Sequence, residues 1–212
     1  RLIYNPMSWG SVNPRTLILG FSKGARQADE VRFHPHEDVP FRGFRGKLSD
    51  ALRVLGLLES GRTIDQEIRD ESDDWAFGSL VRCTIEKQDP LTGKYLKSGD
   101  IISASTRRSG LDWTSRCIGK HLRVLPSRLR TVVMLSNDDA YVDACFAKIR
   151  SIHPDTERVN QVAYRTGNVT WVHIVHVGGP GANHIKAWLT GAAGKQGHKM
   201  RLARDAVESA LA

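Results

Sequence analysis

Four short apolar runs constrain this chain more than any other feature: Thr16–Gly20 (TLILG), Phe77–Cys83 (FGSLVRC), Thr131–Leu135 (TVVML) and Val169–Val175 (VTWVHIV). Each is rich in β-branched residues and bounded by turn formers, the pattern of a buried strand. Between and after them lie stretches with helical spacing of apolar residues: Lys47–Leu58, Ser115–Val124, Asp139–Ile149, Asn183–Leu189 and Lys199–Leu211. Strands alternating with helices imply parallel pairing, because a crossover must carry the chain back before the next strand begins. The expectation is an α/β fold with a parallel sheet covered by helices on both faces. No internal repeat or low-complexity linker divides residues 1–212, so one domain is expected. Two segments read as surface excursions, the charge-rich Gly61–Asp74 and Glu86–Gly110, which carries Pro90, glycines and serines.

Composition narrows the function classes. With 212 residues and 40% hydrophobic content the chain can bury a substantial core, which excludes a disordered or fibrous protein. No apolar run approaches the roughly 18 to 20 residues of a membrane helix, so no membrane partner is expected. The start lacks a signal-peptide pattern, and Arg1 in place of Met reads as a trimmed beginning. Three cysteines, Cys83, Cys117 and Cys145, have no local pairing motif, which points to a reducing compartment, so a cytoplasmic location is expected. Thirty-one Lys and Arg against 23 Asp and Glu leave a net charge of +8. An excess of this size suits a polyanionic partner, since neutralised phosphates release counterions. A soluble basic surface with no such partner has the same composition.

In an open parallel sheet ligands bind outside the carboxyl ends of the strands. The segments leaving those ends are Gly20–Gly24 (GFSKG), Ser79–Thr84 (SLVRCT), Ser136–Asp139 (SNDD) and His176–Asn183 (HVGGPGAN). The first matches G-x-S-x-G, the nucleophile elbow of serine hydrolases, with Asp138 or Asp139 and then His176 following in order. Against that reading, only 19 residues precede Gly20, too few for the strands that normally come before the elbow. Pro35 and Pro40 also follow in a polar stretch where the elbow's helix belongs. A phosphate-binding P-loop is weaker still, for it lacks the terminal Lys-Ser/Thr pair.

A second pattern uses more of the chain. Val39–Leu57 (VPFRGFRGKLSDALRVLGL) resembles the P-F-V-G-x-x-G-x-L-x-x-x-L-x-x-x-G segment of uracil-DNA glycosylases, in particular their thermostable iron–sulfur branch. Gly20–Gly24 stands where that branch has a G-E-A-P-G loop, and Phe77–Cys83 is similar to its I-T-N-V-V-K-C strand. Cys117, His121-Leu122, Pro126 and the strand Thr131–Leu135 resemble C-x-x-x-L…P…I-V-x-L-G, and His176 leaves the last run as the H-P-S loop does. The matches are collinear over roughly residues 14 to 190.

The resemblance implies a three-layer α/β/α sandwich with a four-stranded parallel central sheet. It also implies a monofunctional DNA glycosylase that removes uracil, and related deaminated bases, by hydrolysis. DNA containing such bases is the implied partner, and a monomer the implied state. As the glycosidic bond breaks, the sugar becomes oxocarbenium-like and the departing base gains negative charge, so the site must aim donors at the leaving base and accept it flipped from the stack. His176 is the implied donor, and Ser22 the residue able to orient a water. Asp29 and Glu30 are alternative bases, because no carboxylate occupies the water-activating position. Phe41 is the implied stacking platform, Ser79 the base reader, and the Phe21 and Ser22 amides are added donors. Lys23, Arg42, Arg45, Gly178, Gly179 and Asn183 are candidate DNA contacts. The sequence departs from the family's pattern at Ser22, Lys23, Ser79, Val177 and Gly178. Only Cys83 and Cys117 match its four cluster ligands, so neither a cofactor nor a metal is expected. A member that binds DNA or damaged bases without cutting them is the alternative within the same resemblance.

Overall fold

The structure is a computed structural model that describes residues 2–23, 25–69, 72–85, 88–93, 113–178 and 183–211. The four apolar runs form its centre. They are β3 (Thr16–Lys23), β4 (Trp75–Ile85), β5 (Thr131–Leu135) and β8 (Val169–Ile174), paired in parallel in the order β4-β3-β5-β8. Every residue of β5 and β8 is buried, as continuous apolar strands covered on both faces must be.

Antiparallel strands extend this parallel core, so the sheet is mixed and has eight strands among the described residues. The short β1 (Leu2–Ile3) and β2 (Trp9–Gly10) both pair with β4. A hairpin of β6 (Glu157–Asn160) and β7 (Ala163–Thr166) adds to β8. Thr166 pairs directly with Val169, so Gly167 and Asn168 form a two-residue turn, with Gly167 at φ +52°. The Gly-Asn pair is a hairpin signal; the polar, exposed character of β6 hid its strand from an apolar-run reading.

Helices cover both faces. On one side lie α2 (Arg45–Val54), α3 (Ile64–Ile68), α6 (Ile185–Leu189) and α7 (Lys195–Leu211), whose Leu48, Leu52, Ile64, Trp188 and Val207 pack with Ile18, Phe77, Val133 and Val172 of the sheet. On the other lie α4 (Trp113–His121) and α5 (Asp139–Ile152), whose Ile118, Tyr141, Cys145 and Ile149 pack with Leu19, Leu80, Val132 and Trp171. This is a three-layer α/β/α arrangement with a parallel core, as the sequence implies. The segment Gly61–Asp74 is more ordered than expected, since it contains α3. The Thr63 amide donates to Gln66 Oε1 at 2.8 Å, the reciprocal half of a capping box, and Ile64 and Ile68 are buried. Most of Glu86–Gly110 lies outside the described residues. A short α1 (Ala25–Glu30) follows β3. Among the described residues no helix is long and apolar enough to cross a membrane.

One buried lysine fastens α7 to the end of β5. Lys199, 1% exposed, donates to Asn137 O and to Asp139 Oδ1, the latter at 2.6 Å, while Lys195 reaches Asp139 Oδ2 at 2.7 Å. These two lysines hold the Asp139 carboxyl down at about pKa 2. Asp138 is also committed, accepting from the Tyr141 amide as the cap of α5.

His173 in β8 is fully buried behind the sheet. Its Nδ1 donates to Ser136 O at 2.8 Å, and Nε2 accepts from the Tyr164 hydroxyl at 3.3 Å. Burial pushes its pKa down to about 3. The unfolded chain takes up a proton on this ring near pH 6.5 and the folded chain does not. The unfolded state therefore binds more protons between the two values, and stability falls as pH drops below about 6.5. Urea unfolding should show a lower midpoint at pH 5 than at pH 7.5, and His173→Gln should reduce that difference. An undiminished difference in the variant would contradict the assignment.

Candidate functional site

β3 continues as a strand through Lys23, pairing Ser22 with Val81 and, after a bulge, Lys23 with Thr84. Gly20–Lys23 is therefore not the expected loop of convergent amides. It is the carboxyl end of the central strand, held because β4 extends past it. Side chains alternate along β3. Ile18 packs on the α2 side and Leu19 and Phe21 on the α4 side, so Gly20 and Ser22 face the α2 layer. Gly20 pairs with Ser79, and a methyl on Gly20 would stand 3.7 Å from Ser79 Oγ. The absent side chain leaves room over this hydroxyl. Gly20, Ser22 and Ser79 thus share one face, toward the carboxyl end of the parallel core.

Phe21 does not join them. Its ring lies across the sheet, edge-on to Tyr141 at 6.3 Å, which excludes it as a base contact. Lys23 is likewise no surface cation: it is 3% exposed, and its ammonium donates to Asn5 O. Desolvation lowers its pKa. Asn5 also bonds the Thr84 amide and hydroxyl, so Lys23 fastens the N-terminal segment to β4.

The resembling segment Val39–Leu57 enters the site as a tight turn ahead of α2. The Phe44 amide donates to Phe41 O at 3.1 Å, and Phe41 and Gly43 have φ of +56° and +85°. Left-handed backbone costs a residue with a side chain about 1–2 kcal/mol. Burial of the Phe41 ring, edge-on to Phe77 and Phe44 at 6.0 Å each, offsets that strain. Phe41 is thus a wall of the core and offers no free face for stacking. Phe44, three residues on, is half-buried and lies 6.4 Å from the His176 ring. The sequence reading passed over it, although it stands in the same resembling segment. Arg45 is not free either. Its guanidinium bonds Asp65 at 2.8 Å and the carbonyls of Pro40 and Glu37 at 2.9 and 2.6 Å, which locks the turn. Arg42 and Lys47 are exposed, and with Asp38, Phe44 and Asp65 they line an open hollow of about 520 Å³.

His176 follows β8 and is held by the Gly178 peptide. The Gly178 amide lies 3.1 Å from Nδ1 and its carbonyl oxygen 2.6 Å from the same nitrogen. Burial lowers the ring's pKa and outweighs the opposing effect of the carbonyl, so the ring is neutral at pH 7. A neutral imidazole carries one proton. With the proton on Nε2, Nδ1 accepts from the Gly178 amide; with the proton on Nδ1, the carbonyl takes it and Nε2 is a bare acceptor. In both forms Nε2 has no partner among the described residues.

Gly178 is itself buried, so it is a packing residue and not an exposed DNA contact. A Cβ there would meet Phe44 Cδ1 at 3.1 Å. This close approach seats the His176 loop on the Phe41–Phe44 turn. Asn183 is exposed ahead of α6, and Gly179 lies outside the described residues. Asp29 is exposed and Glu30 half-buried at the end of α1.

No serine-hydrolase triad results. Ser22 sits in extended strand without the strained turn of an elbow, and Nδ1 of His176 is engaged by a peptide, not a carboxylate. Asp138 caps α5 and Asp139 is paired with two lysines. Among the described residues no three His, Cys, Asp or Glu side chains gather into a metal-binding set. Cys83 and Cys145 are buried and Cys117 is half-buried, all as free thiols.

The chain matches no protein-family model, and no curated protein sequence matches it.

If the Gly178–Phe44 contact sets the loop, Gly178→Ala should destabilise the fold by about 1–3 kcal/mol through overpacking. Phe44→Ala leaves room for that methyl. In urea unfolding the double variant should therefore cost less than the sum of the two single changes. Additive costs would show that the two segments are not coupled.

Proposed function

We propose that this protein is a DNA glycosylase similar to the uracil-DNA glycosylase superfamily, removing uracil and other deaminated bases by hydrolysis. The observation that carries the reading is the packing of the His176 loop on the Phe41–Phe44 turn. These are the resembling segments that bear the implied donor and the implied aromatic platform, and more than 130 residues of chain separate them. The parallel core and the +8 charge support it, since a polyanionic substrate suits a basic chain.

In this reading Nε2 of His176 carries the ring's proton once the base is bound and donates to the oxygen of the departing base. That requires the Gly178 carbonyl, 2.6 Å from Nδ1 in the free protein, to turn away. A neutral donor suits the task, because charge appears on the base only as the bond breaks, in a site sheltered from water. Phe44, backed by Phe41, supplies the aromatic wall. The Ser79 hydroxyl meets the base edge in the space that Gly20 leaves open, and Ser22 orients the attacking water. A rotating hydroxyl can donate or accept, unlike a side-chain amide with fixed polarity. It imposes little penalty on a base of different pattern, so selectivity falls to the ease of flipping a poorly paired base.

The test is a panel of duplexes with one lesion each, treated with protein and then alkali to reveal abasic sites. Uracil should be released first, with hypoxanthine or xanthine slower. His176→Ala should lose on the order of 10²- to 10³-fold in rate, as for removal of one preorganised donor. Near-normal excision by that variant, or no strand cleavage with any lesion, would overturn the reading.

A further inference from the structure

We infer that α4 is a docking stripe for the phosphate backbone of duplex nucleic acid, on a different layer from the candidate pocket. Residues 113–130 contain Arg116, Lys120, Arg123, Arg128 and Arg130 and no Asp or Glu. The helix is amphipathic in the ordinary way on its inner side, where Thr114, Ile118 and Leu122 are buried. Arg116 and Lys120 of the helix and Arg123, two residues past its end, are all exposed on the opposite side.

Among the described residues these three cations have no counter-charge. Several other arginines do find carboxylates: Arg15 and Arg128 share Asp74, Arg53 meets Asp50, and Arg62 meets Glu67. Among the described residues no carboxylate lies within ion-pair distance of Arg116, Lys120 or Arg123. The arrangement works against the helix by itself. Like charges at i and i+4 repel, and Arg116 stands in the first turn, where the helix dipole disfavours a cation. Only Lys120, in the last turn, is placed where the dipole welcomes it. Arg82 of β4 adds charge beside the stripe. Its amide donates to Cys117 Sγ at 3.3 Å, which brings that part of β4 against α4. Behind burial, Arg82 and Lys120 help to hold His121 below its ordinary pKa.

The dimensions fit a nucleic-acid backbone. From Arg116 to His121 the helical rise is about 7.5 Å, and Arg123 stands two residues further on. One strand of a duplex places a phosphate about every 3.4 Å of axis, so the stripe faces about three phosphates. Contacts of this kind set position and affinity and carry no base readout. The inference is independent of base excision.

The experiment measures the affinity of the intact protein for a uracil-free duplex across a series of salt concentrations. Each neutralised phosphate contributes about 0.9 to the slope of log affinity against log salt. The triple variant Arg116→Gln/Lys120→Gln/Arg123→Gln should lower the slope by about 2 to 3. A control with the same charge loss elsewhere, Arg165→Gln/Arg201→Gln/Arg204→Gln, should leave it nearly unchanged. All three changes, two in α4 and one just past its end, are at exposed positions, and circular dichroism verifies that the helix persists. An unchanged slope in the α4 variant, an equal drop in the control, or equally tight binding of wild type to polyglutamate would overturn the inference. The same proteins assayed for uracil release separate the two claims. A stripe-dependent slope without excision leaves the stripe standing and removes the proposed chemistry, whereas excision with an unresponsive slope does the reverse.

Discussion

β3 must pair in parallel with a neighbour on each side, and the architecture follows from that constraint. Parallel neighbours cannot be joined by a tight turn, so each pairing forces the chain out of the sheet and back through a covering layer. The crossover from β3 to β4 contains α1, α2 and α3; the one from β5 to β8 contains α5 and the β6–β7 hairpin. Both layers exist because of this. So does the common end of the sheet, where β3 and β8 deliver Ser22 and His176. Ser22 and His176 reach that end from distant parts of the sequence, with β5 between their strands.

What brings the collected segments into contact is a missing side chain. Gly178 has only hydrogens to set against Phe44, and its peptide simultaneously holds Nδ1 of His176. One residue thereby fixes both the approach of two loops and the orientation of the ring. The Phe41–Phe44 turn is kept rigid from the other side, by the Arg45 clamp on Asp65, Pro40 and Glu37 and by the Phe41 ring in the core. A strained backbone at Phe41 persists only because its surroundings leave the ring no alternative.

The strands and most helices were legible because burial on both faces writes a continuous apolar run that no other element explains. The hairpin β6–β7 and α3 were not, since β6 is exposed and α3 is a single turn stabilised by its cap. At the site, His176 follows the last core strand as its position in the sequence implies, whereas Ser79, read in a segment leaving a strand end, lies inside β4. The misreadings concern residues whose fate is decided by distant partners. Lys23 reads as a surface cation until Asn5 covers it, Arg45 until Asp65 takes its guanidinium, and Gly178 as a DNA contact until Phe44 presses on it. Phe41 and Phe44 are alike in sequence, and only the turn between them sends one ring inward and leaves the other half-exposed. Such long-range pairings leave no periodic trace.

The central claim is that the Gly178 peptide presents a neutral His176 whose Nε2 proton points toward a bound base. Nitrogen-15 spectroscopy of the ring at pH 7 tests it most directly, alone and with a duplex bearing a non-hydrolysable deoxyuridine analogue. The account predicts a neutral ring that carries its proton on Nε2 in the complex, with that nitrogen's signal shifting when the duplex is added. A ring protonated on Nδ1 in the complex, or one whose signals do not respond to the duplex, would contradict it.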